Sequence, residues 1–203
     1  MCWSGWEAEG RDFAPNLRDD HKMDAIVDAA LRKWPNVPHC YGWLGCDARG
    51  DWYLRDERTQ AEGAFPASKG SRIEHAGLRE FMARNYARDA AGCWFFQNGP
   101  QRVYVELEAA PWVWRVTEAG SRLTLVSHTG IGARFESGWV DENGRLFIAA
   151  DIGLGLVHSA DVELASRAVE HGHWPVKHCE FSALVQRFDY VLSPAAARAH
   201  AGL

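Results

Sequence analysis

The chain has 203 residues, of which 47% are hydrophobic and 24% charged, with ten Trp, nine His, five Cys and a formal net charge of −5. That apolar fraction excludes a disordered chain, and no residue type dominates as it would in a fibre. The mild acidity argues against nucleic acid as a partner, which selects a basic face. No run of about 18 apolar residues marks a membrane span, so no membrane partner is expected either.

The opening residues, Met1-Cys2-Trp3-Ser4-Gly5-Trp6-Glu7, lack a basic stretch followed by an apolar run, so no secretory signal is read there. Cys2, Cys40, Cys46, Cys93 and Cys179 form an odd, scattered set. Without a leader they read as reduced thiols, and the expected location is the cytoplasm.

Residues 1–18 read as an irregular arm. Met23, Ile26, Val27, Ala30, Leu31 and Trp34 then follow the spacing of one buried helix face, capped by Asp19 or Asp20 and stopped by Pro35. Residues 40–57 read as a hairpin around Asp47-Ala48-Arg49-Gly50, and 59–70 as a loop. Ser71 is the expected cap of a second helix carrying Ile73, Leu78, Phe81, Met82 and Tyr86. Strands follow at 93–97 and 101–108 around Asn98-Gly99-Pro100, then at 112–117 and from Leu123 to Ser127. Residues 138–151 read as a hairpin around Asp141-Glu142-Asn143-Gly144, followed by a strand through Gly153 and Gly155. A third helix starts at Ser159 or Asp161, and 179–192 reads as a last strand before an Ala-rich tail. Strands outnumber helices, and the helices interrupt them singly. The expected class is therefore α+β, β-rich, with two pseudo-repeated motifs of hairpin, helix and strands plus an N-terminal helix. The expected organisation is an arm (1–18), the helix and first β-rich motif (19–120), and a second β-rich motif (121–203), all able to pack as one domain.

Two echoes suggest the repeat. Gly42-Trp43-Leu44, Asp47-x-x-Gly50 and Trp52-Tyr53-Leu54 parallel Gly138-Trp139-Val140, Asp141-x-x-Gly144 and Leu146-Phe147-Ile148. Trp34-Pro35 before His39-Cys40 parallels Trp174-Pro175 before His178-Cys179. Hairpins with Asp-x-x-Gly turns resemble one another in any protein, so the first echo is equally the sign of common turn chemistry.

The opening hairpin, the helix with Arg79-Glu80-Phe81, and the strands Trp94-Phe95-Phe96 and Val103-Tyr104-Val105-Glu106 resemble an uncharacterised family of bacterial proteins of unknown function. The likeness covers residues 40–190. It implies a fold with two repeated β-rich motifs and a role in signalling or ligand sensing, and supplies no catalytic residues.

Chemistry has few places to sit. His171, His173, His178 and Cys179 put four metal donors within nine residues, and His39 or Cys40 would face them if the Trp-Pro echo were a true symmetry. Histidines at a helix end and cysteines in the core are the commoner use of such residues. Trp112 and Trp114 share one strand face beside Arg115, an arrangement that suits a flat or acidic ligand and equally suits a core. Glu106 and Glu108 read as the wet side of a strand whose dry side carries Val103, Val105 and Leu107. Ser127-His128 and the many Cys-His combinations are unspecific.

The expected function is a non-enzymatic, cytoplasmic, bacterial module of regulatory role that binds a small ligand or a protein. Its ligand residues would be Trp112, Trp114 and Arg115. The alternative is a metal-dependent hydrolase using segment 171–179. No cofactor is expected under the first reading and zinc under the second. A third possibility is an assembly subunit; the oligomeric state is not legible.

Overall fold

A computed structural model describes residues 24–34, 36–119 and 122–202. The arm expected over 1–18, the Asp19 or Asp20 cap and the Pro35 stop lie outside the described residues. The fold is α+β, with two mixed sheets and six α-helices among the described residues.

The first sheet holds β1 (Cys40–Cys46), β2 (Trp52–Leu54), β3 (Ser71–Arg72), β4 (Tyr86–Arg88), β5 (Trp94–Asn98) and β6 (Gln101–Leu107), in the spatial order β3-β2-β1-β6-β5-β4. The second holds β7 (Trp112–Ala119), β8 (Arg122–Ser127), β9 (Gly132–Ala133), β10 (Phe135–Val140), β11 (Leu146–Ala150) and β12 (Gly153–Val157). Their order is β9-β8-β7-β12-β11-β10, with β13 (Val176–His178) added in parallel beside β10. Adding six to each strand number converts the first order into the second. In each sheet the central pair, β1 with β6 and β7 with β12, is parallel, and every other pair within the six is antiparallel. The repeat extends past the strands: the Glu108 N–H donates to the Cys46 carbonyl at 3.0 Å, and the His158 N–H donates to the Trp114 carbonyl at 2.9 Å.

The repeat is thus present, in a register other than the one the sequence echoes suggest. The counterpart of hairpin β1–β2 is β7–β8, and the Asp141 hairpin, β10–β11, corresponds to β4–β5. Cys40 opens β1 whereas His178 closes β13, a strand with no counterpart among the described strands of the first sheet, so the Trp-Pro echo is not a symmetry of the described fold.

The echo between the hairpins arises from one turn used four times, at Asp47–Asp51, Asp89–Cys93, Ser127–Ile131 and Asp141–Arg145. In each, the first N–H donates to the fifth carbonyl, at 3.0, 2.9, 2.8 and 3.1 Å respectively. The fourth residue is always glycine in the left-handed region, with φ of 77°, 82°, 86° and 75°. A side chain with a Cβ is strained there. The Asp carboxylates each accept from the third and fifth N–H groups, and the Ser127 hydroxyl accepts from Ile131 N–H. This is a type I turn closed by a left-handed glycine.

Only Arg134 separates β9, at one edge of the second sheet, from β10, which lies at the far side of its six-strand order. Residues two apart lie about 7 Å from each other at most, so this sheet curls until its ends approach. One apolar cluster runs through both sheets, including Leu44, Trp52, Tyr86 and Trp94 of the first and Trp112, Trp114, Phe147 and Ile148 of the second.

Helix α1 (Ala25–Lys33) follows the expected spacing, although among the described residues of that face only Val27 is buried; Ile26 and Trp34 are exposed. A loop was expected over 59–70, but α2 (Glu57–Glu62) starts where Asp56 accepts from the Thr59 N–H at 2.8 Å. Helix α3 (Ala76–Arg84) is capped by His75, not Ser71, which belongs to β3; Tyr86 has already left the helix for β4. Helix α4 (Val162–Glu170) follows a 3-10 turn at Ser159–Asp161, as expected. The strand expected over 179–192 is instead α5 (Phe181–Arg187), and the tail is α6 (Pro194–His200). Phe181, Leu184, Val185 and Phe188 have helical spacing, and Ser193 caps a helix that begins with proline. That last helix covers the outer face of the first sheet, so Glu106 is not wet: it is buried, and its carboxylate accepts from the Ala195 N–H at 3.1 Å.

Candidate functional site

The residues singled out by sequence do not gather. Trp112 and Trp114 do share a strand face, and that face points into the core. Both are buried, and their indole N–H groups donate to the carbonyls of Ile152 and Ile148 at 2.9 and 2.8 Å. Arg115, on the opposite face, is exposed and clamps Asp161 at 2.6 Å. His171 and His173 follow α4 with ring centroids 6.0 Å apart, His178 lies exposed on β13, and Cys179 is half-buried beside it. His39 is in the other sheet's neighbourhood, edge-on to Tyr104, and Cys40 is half-buried at the start of β1. Among the described residues, no three His, Cys, Asp or Glu side chains converge as a metal ion would require. The donor set expected for zinc therefore does not form, because its members are distributed over two sheets and a helix end.

What the fold does build is a cleft of about 490 Å³ where α3 meets two of the four repeated turns. Gly50 and Trp52 come from the Asp47 turn and β2, and His128, Thr129 and Gly130 come from the Ser127 turn. Ala76, Arg79, Glu80, Ala83 and Arg84 come from α3. The small side chains Ala76 and Ala83, seven residues apart on one helix face, leave the space open. The two turns touch: a Cβ on Gly50 would lie 2.5 Å from the His128 Cβ. Gly130, by contrast, has nothing within 4 Å of where its Cβ would be.

The His128 imidazole sits among Trp52, Tyr86 and Trp112, with ring centroids 5.4, 5.8 and 6.0 Å away. Its Nδ1 accepts from the Val113 N–H at 3.3 Å, which leaves the proton on Nε2. Nε2 faces the sulfur of Cys46, 3.7 Å away, and that thiol lies 3.9 Å from the Asp47 carbonyl as its donor. The chain of contacts joins the second sheet to the first. Burial pushes the imidazole down to about 4, against the pull of the nearby Asp47 carboxylate. Burial also pushes the Cys46 thiol well above its ordinary range, and Asp47, Asp51 and Glu108 push it further. At neutral pH both partners are uncharged.

Behind the turn lies an ionic knot. Lys69 Nζ is 3.0 Å from Asp47 and 2.9 Å from Glu108. Burial alone would raise the Asp47 carboxyl, but the Lys69 ammonium and the Arg49 and Asp51 N–H groups hold it below its usual range. On the α3 wall, Arg84 pairs with Asp24 at 3.3 Å, whereas the side chains of Arg79 and Glu80 make no ion pair or hydrogen bond among the described residues. Among the described residues, the cleft thus presents a guanidinium and a carboxylate without ionic partners above a floor of uncharged rings. Sequence reasoning passed over this site. The available signal was Ser127-x-x-Gly130, a serine version of the two Asp-x-x-Gly turns already recognised.

The architecture defines a duplicated α+β protein with a cleft at the junction of its two halves. The chain belongs to a family of uncharacterised proteins: the family model DUF2944, described as "Protein of unknown function (DUF2946)", matches residues 23–195. Among solved structures, it is similar to a DUF1285 family protein from Silicibacter pomeroyi DSS-3, with 13% identity and a TM-score of 0.42 over 71% of this chain and 84% of that one. It is also similar to a DUF1285 family protein from Shewanella baltica OS155, with 15% identity and a TM-score of 0.40 over 62% and 91%. No curated protein matches.

Proposed function

We propose that this protein is a non-enzymatic binding module of regulatory role, acting in a bacterial cytoplasm, and that the cleft beneath α3 receives a small ligand. The observation that carries the reading is the cleft itself, formed where the repeated halves meet and left open by Ala76 and Ala83. Its volume lies within the range of small-molecule sites, about 300–1,000 Å³. The groups best placed for chemistry support binding rather than turnover: burial keeps both His128 and Cys46 uncharged, and a thiolate nucleophile needs the reverse. Cys40, Cys46, Cys93 and Cys179 are all free thiols, which suits a reducing compartment.

A thermal-shift screen of small anions, cations and zwitterions tests the reading. At least one compound should raise Tm, and filling the cleft with Ala83→Trp, or more gently with Ala76→Gln, should remove the rise. No hit in the screen, or a hit indifferent to both substitutions in folded protein, overturns it.

A further inference from the structure

The charges on the cleft wall narrow the class of ligand, and this step rests on the binding role proposed above. Arg79 and Glu80 are consecutive on α3, both line the cleft, and neither is neutralised by a described neighbour. The other lining cation, Arg84, already pairs with Asp24. Thr129 adds a hydroxyl whose oxygen lies 2.8 Å from the Ser127 hydroxyl. From these groups we infer that the ligand is a small zwitterion of the amino-acid type, its carboxylate on Arg79, its ammonium on Glu80, and its side chain toward Trp52 and His128.

Each simpler ligand meets an opposing charge. A dianion meets the Glu80 carboxylate, and a bare cation meets the Arg79 guanidinium. A metal ion finds no set of three donors among the described residues. A zwitterion satisfies both free charges at once, and arginine binds a carboxylate through two parallel N–H donors. The floor takes an apolar side chain because its imidazole is uncharged: burial holds His128 in the neutral form at physiological pH. The Nε2 proton of that ring is directed at Cys46 and the Nδ1 lone pair at Val113, so the imidazole has no polar atom left to offer and acts as a flat surface.

The test compares L-phenylalanine with phenylpropionate, which lacks the amine, and phenethylamine, which lacks the carboxylate, on the whole 203-residue chain. Dissociation constants are read from the His128 ring signals in NMR, assigned with His128→Gln. Phenylalanine should bind at least 10-fold more tightly than either analogue. Arg79→Ala should bring phenylalanine down to the level of phenethylamine, and Glu80→Gln should bring it down to the level of phenylpropionate. Both substitutions are on the surface of α3, and retained circular dichroism confirms the fold. An analogue that equals phenylalanine overturns the zwitterion while leaving the cleft as a binding site. The same holds if all three leave the His128 signals unmoved while another screened compound shifts them. If no compound of the wider screen moves them, the binding role itself falls.

Discussion

The sulfur of Cys46 and Nε2 of His128 lie 3.7 Å apart, one at the end of β1 and the other in the turn after β8. The pair looks like a nucleophile and its base, but its surroundings set it to the opposite state. A catalytic pair needs the proton moved from sulfur to nitrogen. Here burial raises the thiol and lowers the imidazole, so the transfer is opposed at both ends.

The first prediction concerns pH. The folded pKa of His128, about 4, is below its ordinary 6.5. The unfolded chain therefore binds the proton more readily, and the contribution is complete above pH 6.5 and lost as pH falls toward 4. A gap of that size corresponds to something on the order of 3 kcal/mol. Urea unfolding should show stability dropping across this window, and His128→Phe should flatten the drop. Asp47, Asp141 and Asp161, whose carboxyls lie below their usual range, add losses of the same sign at lower pH. Stability that is level from pH 6.5 to 4.5 would contradict the burial of the imidazole.

The second concerns thiol reactivity. Half-buried Cys40 and Cys179 should alkylate with iodoacetamide at pH 8 well before Cys46 and Cys93. Burial holds Cys93 up at about 11, with Asp89 and Glu106 adding to it. Peptide mapping during labelling reads the order. Cys46 among the first residues modified would refute its inert, protonated state.

The third uses the four turns as an internal comparison. Asp141→Ala removes the acceptor of two N–H groups and the partner of Arg145 at 2.7 Å, and should cost about 2 kcal/mol. Ser127→Ala removes one such bond and should cost about 1 kcal/mol. Gly144→Ala should cost about 1–2 kcal/mol, from backbone strain alone, since nothing lies within 4 Å of the new Cβ. Gly92→Ala should cost more, because its Cβ would meet the Asp189 carbonyl oxygen at 2.5 Å. Equal costs at the two glycines in chemical denaturation would show that the contact at Gly92 relaxes freely.

The fourth concerns Arg55, a buried cation that makes no ion pair with a described residue. Its guanidinium donates to the carbonyls of Ser68, Gly42 and Gly63 at 3.0, 3.1 and 2.6 Å, tying the 63–70 segment to β1. Arg55→Met strands all three oxygens and should cost about 3 kcal/mol or more. Arg55→Lys should recover only part of this, because an ammonium lacks the planar fork. Full recovery by lysine would mean that the charge matters and the fork does not.

The hairpins, the two-motif plan and most strand positions were legible because turn residues and period-two alternation are local signals. Asp141-Glu142-Asn143-Gly144 announces its own geometry. The true register of the repeat was not legible, since it depends on which strands pair, and β1 with β6 or β7 with β12 are partners far apart in the chain. The helical spacing of Phe181, Leu184, Val185 and Phe188 spans only about two turns, too short to outweigh the strand-like run Tyr190-Val191-Leu192 that follows it. The cleft was hidden for a similar reason. Its floor and walls come from segments around residues 50, 80 and 128, and nothing in any one segment points to the others. The tryptophans chosen as a ligand platform, Trp112 and Trp114, lie on one strand face as the spacing required, but only the pairing of β7 with β12 decides that this face is interior.

The one-residue link at Arg134 also bears on how the molecule meets its own copies. A strand edge with unpaired N–H and C=O groups is a template for another chain. In the second sheet, the link draws β9 back toward β10, and β13 occupies the place beside β10, so little free edge remains. Among the described residues the first sheet has no such closure: it ends in the two-residue β3 and the three-residue β4. Their brevity, and the half-exposed Arg72 on β3, are the features that keep an open edge from recruiting a neighbour. Self-association of a partly unfolded chain would therefore begin at the first half of the duplication, with the second half protected by its curl.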